Sequence, residues 1–316
     1  MKRCPLTYEP LSASDQGQYS RAGLRRLSRS LDNLHDLEYS AIEQRKEAMA
    51  RANKMSIQGV QPKLSARLLV KDGRFEVVDR GGRFILKPQT QLYSNLPENE
   101  DLSMRLADTV GINVPLHGLL FSADGSMTYF IRRFDRDGRN RKLAVEDFAQ
   151  LAGRTRDTKY DFSMERLIPI IERHCTFPAV EKLQLFRRTL FCFLTGNEDM
   201  HLKNFSLIVD ENIIKLSPAY DLVNSTIALP GAQEEFALPL NGRKRRLTAN
   251  DLVQYYGLQR LELTSKSIDD VLATLSEAVP RWESIIDTSF LPSDLKTAYW
   301  ELVQSRTKTL FDSASQ

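Results

Sequence analysis

The chain has 316 residues, of which 41% are hydrophobic and 27% charged, and its formal net charge is +3. This composition is typical of a globular protein and excludes an intrinsically disordered one. No apolar run approaches the ~18 residues that cross a bilayer, and no apolar stretch behind the charged N-terminus suggests a signal peptide. The three cysteines are odd in number and lack metal-ligand spacing, which predicts a cytoplasmic protein without membrane association.

Short strands and turns are predicted for the first part of the chain. Hairpin signals occur at Asp72-Gly73 and at Gly81-Gly82, each between apolar segments. Helices are predicted over residues 36–52 and 96–110, whereas the rest of residues 1–55 is polar and charged. The predicted strands are residues 65–70, 75–78, 84–87, 116–121 and 127–134.

The chain becomes helical from about residue 143. The clearest helix covers residues 180–194, where Leu183, Phe186 and Leu190 repeat at helical spacing. A polar loop and a short hairpin, residues 205–209 and 213–216, follow it. We therefore predict a bilobed α+β fold, with a small antiparallel-sheet N-lobe over residues 1–135 and a helical C-lobe over residues 136–316.

The polar loop after this helix carries an acid and an amide at a spacing that kinases use. Asn204 follows Asp199 by five residues, and Asp221 comes after the next hairpin. In kinases, the first acid orients the acceptor hydroxyl, while the amide and the later acid hold magnesium. Asp199 is therefore the candidate catalytic residue, and Asn204 and Asp221 are the candidate metal ligands.

Simpler interpretations exist for these residues. A single Asp on a polar loop is usually a capping or turn residue. The combination of Asp199 with Asn204 and Asp221 is what favours a catalytic role. Two carboxylates close together repel unless a cation lies between them, and oxygen ligands suit magnesium. Calcium is an alternative, although no EF-hand spacing is present. A single histidine such as His201 is usually structural and here could orient Asp199.

Lys87 ends a predicted strand and precedes a helix that contains acids. Such a lysine is often only a solvated strand end. In protein kinases, however, a strand lysine binds the inner phosphates of ATP and pairs with a helix glutamate. We predict that Glu100 is the partner of Lys87, and Glu98 is the alternative partner.

Two further segments are candidates for nucleotide contacts. Residues 56–63 precede the lysine strand by one hairpin; they form either a simple turn or a loop whose amides and Lys63 face phosphates. Arg132, Arg133 and Phe134 end the predicted sheet, where adenine would bond to the backbone or where the chain is merely a solvated strand end. The basic run at residues 243–246 is either a solvated face or a contact for a phosphate backbone.

Taken together, these motifs closely resemble the HipA family of serine/threonine kinase toxins. They are Ser-Ile-x-Gly-x-Gln-x-Lys at 56–63, Phe-Ile-Leu-Lys at 84–87, Glu-Asn-Glu at 98–100, Arg-Arg-Phe-Asp-Arg at 132–136, Gly-Asn-x-Asp-x-His-x-x-Asn-Phe at 196–205, and Leu-Ser-Pro-x-Tyr-Asp at 216–221. The resemblance implies a bilobed kinase-like fold. It also implies ATP-dependent, magnesium-dependent phosphorylation of an aminoacyl-tRNA synthetase, which stops translation.

The resemblance also assigns individual residues. It implies that Asp199 is catalytic, that Asn204 and Asp221 hold Mg²⁺, and that Ser56 is autophosphorylated, which places negative charge beside the phosphate site. The residues that it places around ATP are Gln58, Gly59, Val60, Gln61, Lys63, Lys87, Glu100, Arg132, Arg133, Phe134, His201, Leu202, Lys203, Asn204, Tyr220 and Asp221. Arg132 stands where longer members often carry an acid, so only a backbone contact to adenine is expected there.

Longer family members carry an additional N-terminal subdomain, whereas about 55 residues precede Ser56 here. This matches the short HipT form of a three-component toxin–antitoxin system. The expected partners are a small HipS-like subunit and a DNA-binding HipB-like protein, and the expected substrate is tryptophanyl-tRNA synthetase. Direct DNA binding is not expected, because no helix-turn-helix signature is present. The alternatives are a small-molecule kinase of related fold and an inactive subunit of a repressor complex.

Overall fold

The computed structural model describes residues 2–13, 15, 17–51, 61–138, 141–229, 231 and 234–311. The chain divides into two compact units. The first contains Met1–Leu102, Pro115–Asn140 and Asp287–Pro292, and the second contains Ser103–Val114, Arg141–Ile286 and Ser293–Gln316. Within the described ranges, no helix has both the length and the apolar character needed to cross a membrane. The two-lobe division at residue 135 stays a prediction.

The first unit is built on a five-stranded antiparallel sheet in the order β2-β1-β3-β5-β4. Its strands are β1 (Leu64–Leu69), β2 (Arg74–Val77), β3 (Phe84–Lys87), β4 (His117–Phe121) and β5 (Met127–Arg132). Gly73 and Gly81 in the turns have positive φ angles of +60° and +73°. This backbone conformation is strained for a residue that has a side chain. The register aligns Lys87 of β3 with Tyr129 of β5, so the lysine lies on a central strand.

The N-terminal residues complete the core of this unit. Helices α1 (Arg21–Leu27) and α2 (Ala41–Arg51) belong to it, and Cys4, Leu24 and Leu31 are buried in the same cluster as Phe84 and Phe130. The description of residues 1–55 as polar is therefore incomplete. Their apolar residues stand singly among charges, without the periodicity that marks a buried face.

Helix α3 (Leu96–Asp108) begins in the first unit and ends in the second. It stops two residues before the predicted end at Val110. The Thr109 hydroxyl donates a hydrogen bond of 2.6 Å to the Leu106 carbonyl, and Gly111 turns the chain at φ +72°. A hydroxyl that bonds the preceding turn competes with helix continuation, which explains the earlier end.

The second unit is mainly helical. Its helices are α4 (Phe148–Leu151), α5 (Met164–His174), α6 (Pro178–Leu194), α7 (Ser225–Ala228), α8 (Ser265–Thr288, whose last residues belong to the first unit) and α9 (Ser293–Phe311), with a 3₁₀ turn at Leu202–Asn204 and a π-helical segment at Asn250–Arg260. Strand β6 (Arg136–Asp137) lies in the first unit, and in the second unit β7 (Arg141–Lys142) precedes β8 (Val145–Asp147). The predicted hairpin is β9 (Ser206–Asp210) and β10 (Ile213–Leu216), and β8 adds a third antiparallel strand.

Helix α6 positions the polar loop. Its C-terminal half is buried around much of its circumference, including Phe186, Leu190, Phe191 and Leu194, so its end is fixed by packing. The predicted α+β composition, with an antiparallel sheet in the first unit and mainly helices in the second, is confirmed.

Candidate active site

The polar loop begins with a tightly specified helix end. The amide of Asn197 donates to the Cys192 carbonyl at 2.9 Å, and that of Gly196 donates to the Phe193 carbonyl at 3.3 Å. This is the Schellman pattern, which requires a left-handed residue, usually glycine, and Gly196 has φ +65°. A Cβ at this position would lie 2.3 Å from Leu302 Cδ2 and 2.8 Å from Thr226 Oγ1. The direction in which the loop leaves α6 is therefore fixed.

The backbone of Asp199 is held by its neighbours in the loop. Its amide donates to Asn197 Oδ1 at 3.2 Å. Its carbonyl accepts from Asn204 Nδ2 at 2.9 Å and from the His201 amide at 2.8 Å. The five-residue spacing between Asp199 and Asn204 thus closes a hydrogen-bonded turn, which brings the predicted catalytic acid and the predicted metal ligand together.

The side chain of Asp199 is 55% exposed and meets a neighbour that the sequence did not suggest. Tyr160 Oη donates a hydrogen bond of 2.6 Å to Asp199 Oδ1, and the adjacent Lys159 Nζ lies 2.6 Å from His201 Nε2. These two residues lie on an irregular segment between α4 and α5, about 40 residues before the loop. Neither periodicity nor local motif spacing indicated them.

Burial and charge act in opposite directions on the cationic groups of this cluster. Burial lowers the pKa of Lys159, and the negative charge of Asp199 opposes that shift. Burial likewise lowers the pKa of His201, opposed by Asp199 and also by Asp221. Both acids therefore oppose the effect of burial on the pKa of the same imidazole.

Asp221 follows a segment that is anchored at several points. Tyr220 Oη donates to the Lys203 carbonyl at 3.0 Å and also contacts Ser206 Oγ, and burial raises the pKa of Tyr220. Asp221 itself adopts φ +55°, a left-handed conformation that Asp tolerates better than most residues. Such strain is kept where the surroundings define the backbone. The segment before Asp221 is therefore tied to the polar loop at Lys203.

The donor set near the loop suits a hard cation. The hydrogen bond from Asn204 uses its amide nitrogen and leaves the oxygen as the atom that can ligate a metal. The carboxylate of Asp221 would supply a second protein oxygen. Two such oxygens fit Mg²⁺, an ion that usually keeps waters and takes further oxygens from phosphates. No group of three or more His, Cys, Asp or Glu residues that could hold a metal occurs in the described ranges.

In the first unit, Lys87 pairs with Glu100. Lys87 Nζ lies 2.7 Å from Glu100 Oε1, with side chains 5% and 0% exposed. Glu98 makes a different contact, accepting from Gln89 Nε2 at 2.9 and 2.8 Å. Glu100 is thus the partner of Lys87, as the sequence predicted, and the role of this pair in nucleotide binding stays a prediction.

The sheet end at Arg132–Phe134 differs from the sequence prediction. Strand β5 ends at Arg132, two residues earlier than predicted. The amide of Arg132 donates to the Leu116 carbonyl at 2.7 Å, and that of Arg133 donates to the Arg83 carbonyl at 2.8 Å. Both amides are therefore engaged within the first unit, and the contact of this segment with adenine stays a prediction. Arg133 also holds Asp135 through two hydrogen bonds of 2.9 and 2.8 Å.

The predicted phosphate loop is only partly described. Ser56, Gln58, Gly59 and Val60 lie outside the described residues, whereas Gln61 and Lys63 are half-buried. The remaining loop residues, Leu202 and Lys203, lie in the 3₁₀ turn, and Lys203 Nζ pairs with Asp147 Oδ2 at 2.8 Å. That contact gives Lys203 a structural role in addition to its predicted place near ATP.

The basic run at residues 243–246 lines a surface cavity together with Glu234 and Gly242. Two of its charges are paired: Arg243 lies 3.6 Å from Asp251, and Lys244 lies 3.3 Å from Glu234. This partial neutralisation agrees with a solvated face and weakens the alternative of a phosphate-backbone contact.

Known proteins resemble this chain over most of its length. Residues 55–282 match the family described as HipA-like C-terminal domain. A Haemophilus influenzae protein named "Putative kinase" is 31% identical over 329 residues, which covers 92% of this chain and 92% of that protein. The serine/threonine-protein kinase toxin HipA of Shewanella oneidensis is 29% identical over 198 residues, but this covers only 54% of this chain and 43% of that protein.

Solved structures show the same fold. Shewanella oneidensis HipA, solved in a complex with HipB and operator DNA, superposes with a TM-score of 0.66 at 22% identity, covering 88% of this chain and 72% of that one. The Helicobacter pylori proinflammatory kinase CtkA superposes with a TM-score of 0.57 at 14% identity, covering 81% and 91%.

The fold is therefore kinase-like, and the catalytic-loop spacing from Asp199 to Asn204 is of the kinase type. The chain belongs to the HipA-like kinase family. Kinase activity with ATP and a metal is what this membership indicates.

Proposed function

We propose that this protein is an ATP-dependent serine/threonine protein kinase that acts as the toxin of a toxin–antitoxin system. The observation that carries the proposal is the closed turn in which the Asn204 side chain bonds the Asp199 carbonyl at 2.9 Å. It joins the candidate catalytic acid to a candidate magnesium ligand at the spacing of a kinase catalytic loop. The HipA-like family membership supports the same activity.

The proposed reaction assigns a role to each of the candidate residues. Asp199 accepts a hydrogen bond from the acceptor hydroxyl and orients it toward the γ-phosphate. Lys87, held by Glu100, binds the inner phosphates of ATP. Asn204 and Asp221 would hold Mg²⁺, which would neutralise charge on the phosphate oxygens.

The proposed substrate is an aminoacyl-tRNA synthetase, specifically tryptophanyl-tRNA synthetase, whose phosphorylation would stop translation. The proposed partners are a HipS-like subunit and a HipB-like DNA-binding protein. The Shewanella HipA in the solved complex is bound with HipB, which supports antitoxin partners in general. Ser56 is proposed as the autophosphorylation site.

The kinase proposal is tested with Asp199→Asn, which keeps the size of the side chain but removes its charge. Labelled γ-phosphate is followed from ATP into purified aminoacyl-tRNA synthetases, and growth is followed when the variant is expressed. The wild-type chain is expected to label tryptophanyl-tRNA synthetase and arrest growth, and Asp199→Asn to do neither. Labelling of metabolites instead of protein would indicate the small-molecule kinase, and growth arrest by Asp199→Asn would contradict the proposal.

Autophosphorylation is tested separately by intact mass after incubation with magnesium and ATP. One added phosphate is expected in the wild-type chain and none in Ser56→Ala. An unchanged mass of the wild-type chain, or an equal gain in Ser56→Ala, would remove Ser56 as the site.

A further inference from the structure

The backbone and the side chain of Asp199 are held in different ways. Three hydrogen bonds from residues of its own loop fix the backbone. The side chain, by contrast, has one hydrogen bond and one ion-pair contact in the described part of the chain. Tyr160 Oη donates to Oδ1 at 2.6 Å, and His201 Nε2 lies 4.0 Å from the same oxygen, which is beyond hydrogen-bond range. The orientation of an exposed carboxylate thus depends on one phenol.

Tyr160 is in turn held by the groups around it. Its ring meets His201 edge-to-face, with centroids 5.1 Å apart and planes at 79°. Lys159 Nζ lies 4.8 Å from the centroid of the same ring and 2.6 Å from His201 Nε2. Edge-to-face and cation–π contacts each contribute about 0.5–1.5 kcal/mol of interaction energy. The side chains of Lys159, Tyr160 and His201 therefore stabilise one another's positions.

The segment that carries these two residues is attached to the catalytic loop. The Leu202 amide donates to the Lys159 carbonyl at 3.4 Å. Within the segment, the Phe162 amide donates to the Tyr160 carbonyl at 2.9 Å, and the Thr155 amide donates to Thr158 Oγ1 at 2.9 Å. Tyr160 therefore reaches Asp199 from a segment with its own internal hydrogen bonds.

We propose that Tyr160 and Lys159 are positioning residues of the phosphotransfer reaction. Tyr160 fixes the rotamer of the Asp199 carboxylate, and Lys159 fixes Tyr160 and His201. The inference rests on the proposed role of Asp199, since it concerns how that carboxylate is oriented.

The geometry explains why one hydrogen bond matters. With Oδ1 engaged by the phenol, Oδ2 remains for the acceptor hydroxyl, so the carboxylate is oriented before the substrate binds. Catalysis depends on such preorganised geometry, and a misplacement of about 1 Å can reduce the rate ~100-fold. Without the phenol, the carboxylate would rotate freely in solvent, and part of the binding energy of the acceptor would be needed to orient it.

The test variant is Tyr160→Phe, which removes the hydroxyl and keeps the ring against His201 and Lys159. Tyr255→Phe is the matched control, because its hydroxyl also contacts a carboxylate, Glu165 at 3.2 Å, but lies outside the site. The full chain is incubated with magnesium and ATP, and the total release of the γ-phosphate, to protein and to water together, is measured as a function of ATP concentration.

We expect kcat of Tyr160→Phe to fall by about 10- to 100-fold, with the KM for ATP unchanged, because the lost interaction serves the chemical step and not ATP binding. Tyr255→Phe is expected to match the wild-type chain in both constants. A merely structural role for Tyr160 would instead lower the melting temperature and the amount of active protein together, without this division between kcat and KM.

Lys159 provides the second pair of variants if Tyr160→Phe folds poorly. Lys159→Arg keeps a cation over the ring of Tyr160 and a donor for His201, so it is expected to retain most of the wild-type kcat. Lys159→Met keeps a side chain of similar length without charge and is expected to show the same fall in kcat as Tyr160→Phe.

The outcomes separate this inference from the proposed function. If Tyr160→Phe equals the wild-type chain while Asp199→Asn is inactive, the positioning role is wrong and the kinase proposal stands. A Tyr160→Phe chain faster than wild type would also overturn the inference, since the phenol would then block the acceptor position. If Asp199→Asn retains full transfer, or the wild-type chain shows none, the proposed function itself is wrong.

Discussion

Replacing Gly196 with alanine should damage the chain more than the same replacement at a matched glycine. Gly196 has φ +65°, and a Cβ there would meet Leu302 Cδ2 at 2.3 Å, Thr226 Oγ1 at 2.8 Å and Asn224 Oδ1 at 2.9 Å. Gly153 has almost the same φ, +64°, but nothing lies within 4 Å of its added Cβ. The two substitutions thus share the backbone strain and differ in crowding.

The magnitudes follow from these two contributions. A left-handed alanine costs about 1–2 kcal/mol, which is the expected loss of unfolding free energy for Gly153→Ala. Crowding in a packed site costs a further ~1–3 kcal/mol, so Gly196→Ala should lose ~2–5 kcal/mol. For a unit of this size, each kcal/mol lowers the melting temperature by about 2–4 °C.

Thermal and urea unfolding of both variants, followed by circular dichroism, measure this difference. Phosphate transfer by Gly196→Ala should also fall, because the added methyl group displaces the backbone that leads to Asp199. Equal destabilisation of the two variants would show that crowding at Gly196 is relieved at no cost, and the argument that the loop is fixed by its contacts would fail.

Two further predictions concern buried charges in the first unit. Lys87→Met breaks the buried 2.7 Å ion pair with Glu100 and should lower the unfolding free energy by about 3–5 kcal/mol in urea titrations; a loss below ~1 kcal/mol, the value of an exposed pair, would contradict this reasoning. Burial raises the pKa of Glu98 above its ordinary value of 4.5. Just above pH 4.5 the folded chain therefore binds more protons than the unfolded chain. The stability that the protonated Glu98 contributes is lost as the pH rises through the raised pKa. In urea unfolding, the unfolding free energy of Glu98→Gln should therefore be lowest relative to that of the wild-type chain near pH 4. It should rise relative to the wild-type value toward pH 7. A difference in unfolding free energy that is independent of pH would refute the assignment.

The parts of the fold that the sequence predicted well have local causes. Strands β1 to β3 are separated by glycine turns, and the central part of α6 repeats its apolar residues at helical spacing. The catalytic-loop spacing from Asp199 to Asn204 is local as well, and the structure closes it with a single hydrogen bond. Turn chemistry and periodicity act over a few residues, so one sequence is enough to reveal them.

The parts that the sequence missed depend on contacts between distant segments. Strand β8 is three residues long and is defined by its pairing with β9, about 60 residues later. Tyr160 reaches Asp199 across 39 positions, and Leu31 is buried although it stands among charged residues. Such relations are fixed by tertiary packing, which local propensity does not encode.

The positions of Leu31 and α9 bear on how the protein can be shortened. The region shared with the family ends at residue 282 and begins at residue 55, yet Cys4, Leu24 and Leu31 fill the interior of the first unit and Leu302 backs Gly196. A fragment cut to the shared region would expose the sheet on one side and leave the catalytic turn unsupported on the other. Residues 55–282, which match the HipA-like C-terminal domain, are therefore fewer than the residues needed for each of the two units to pack as it does in the whole chain.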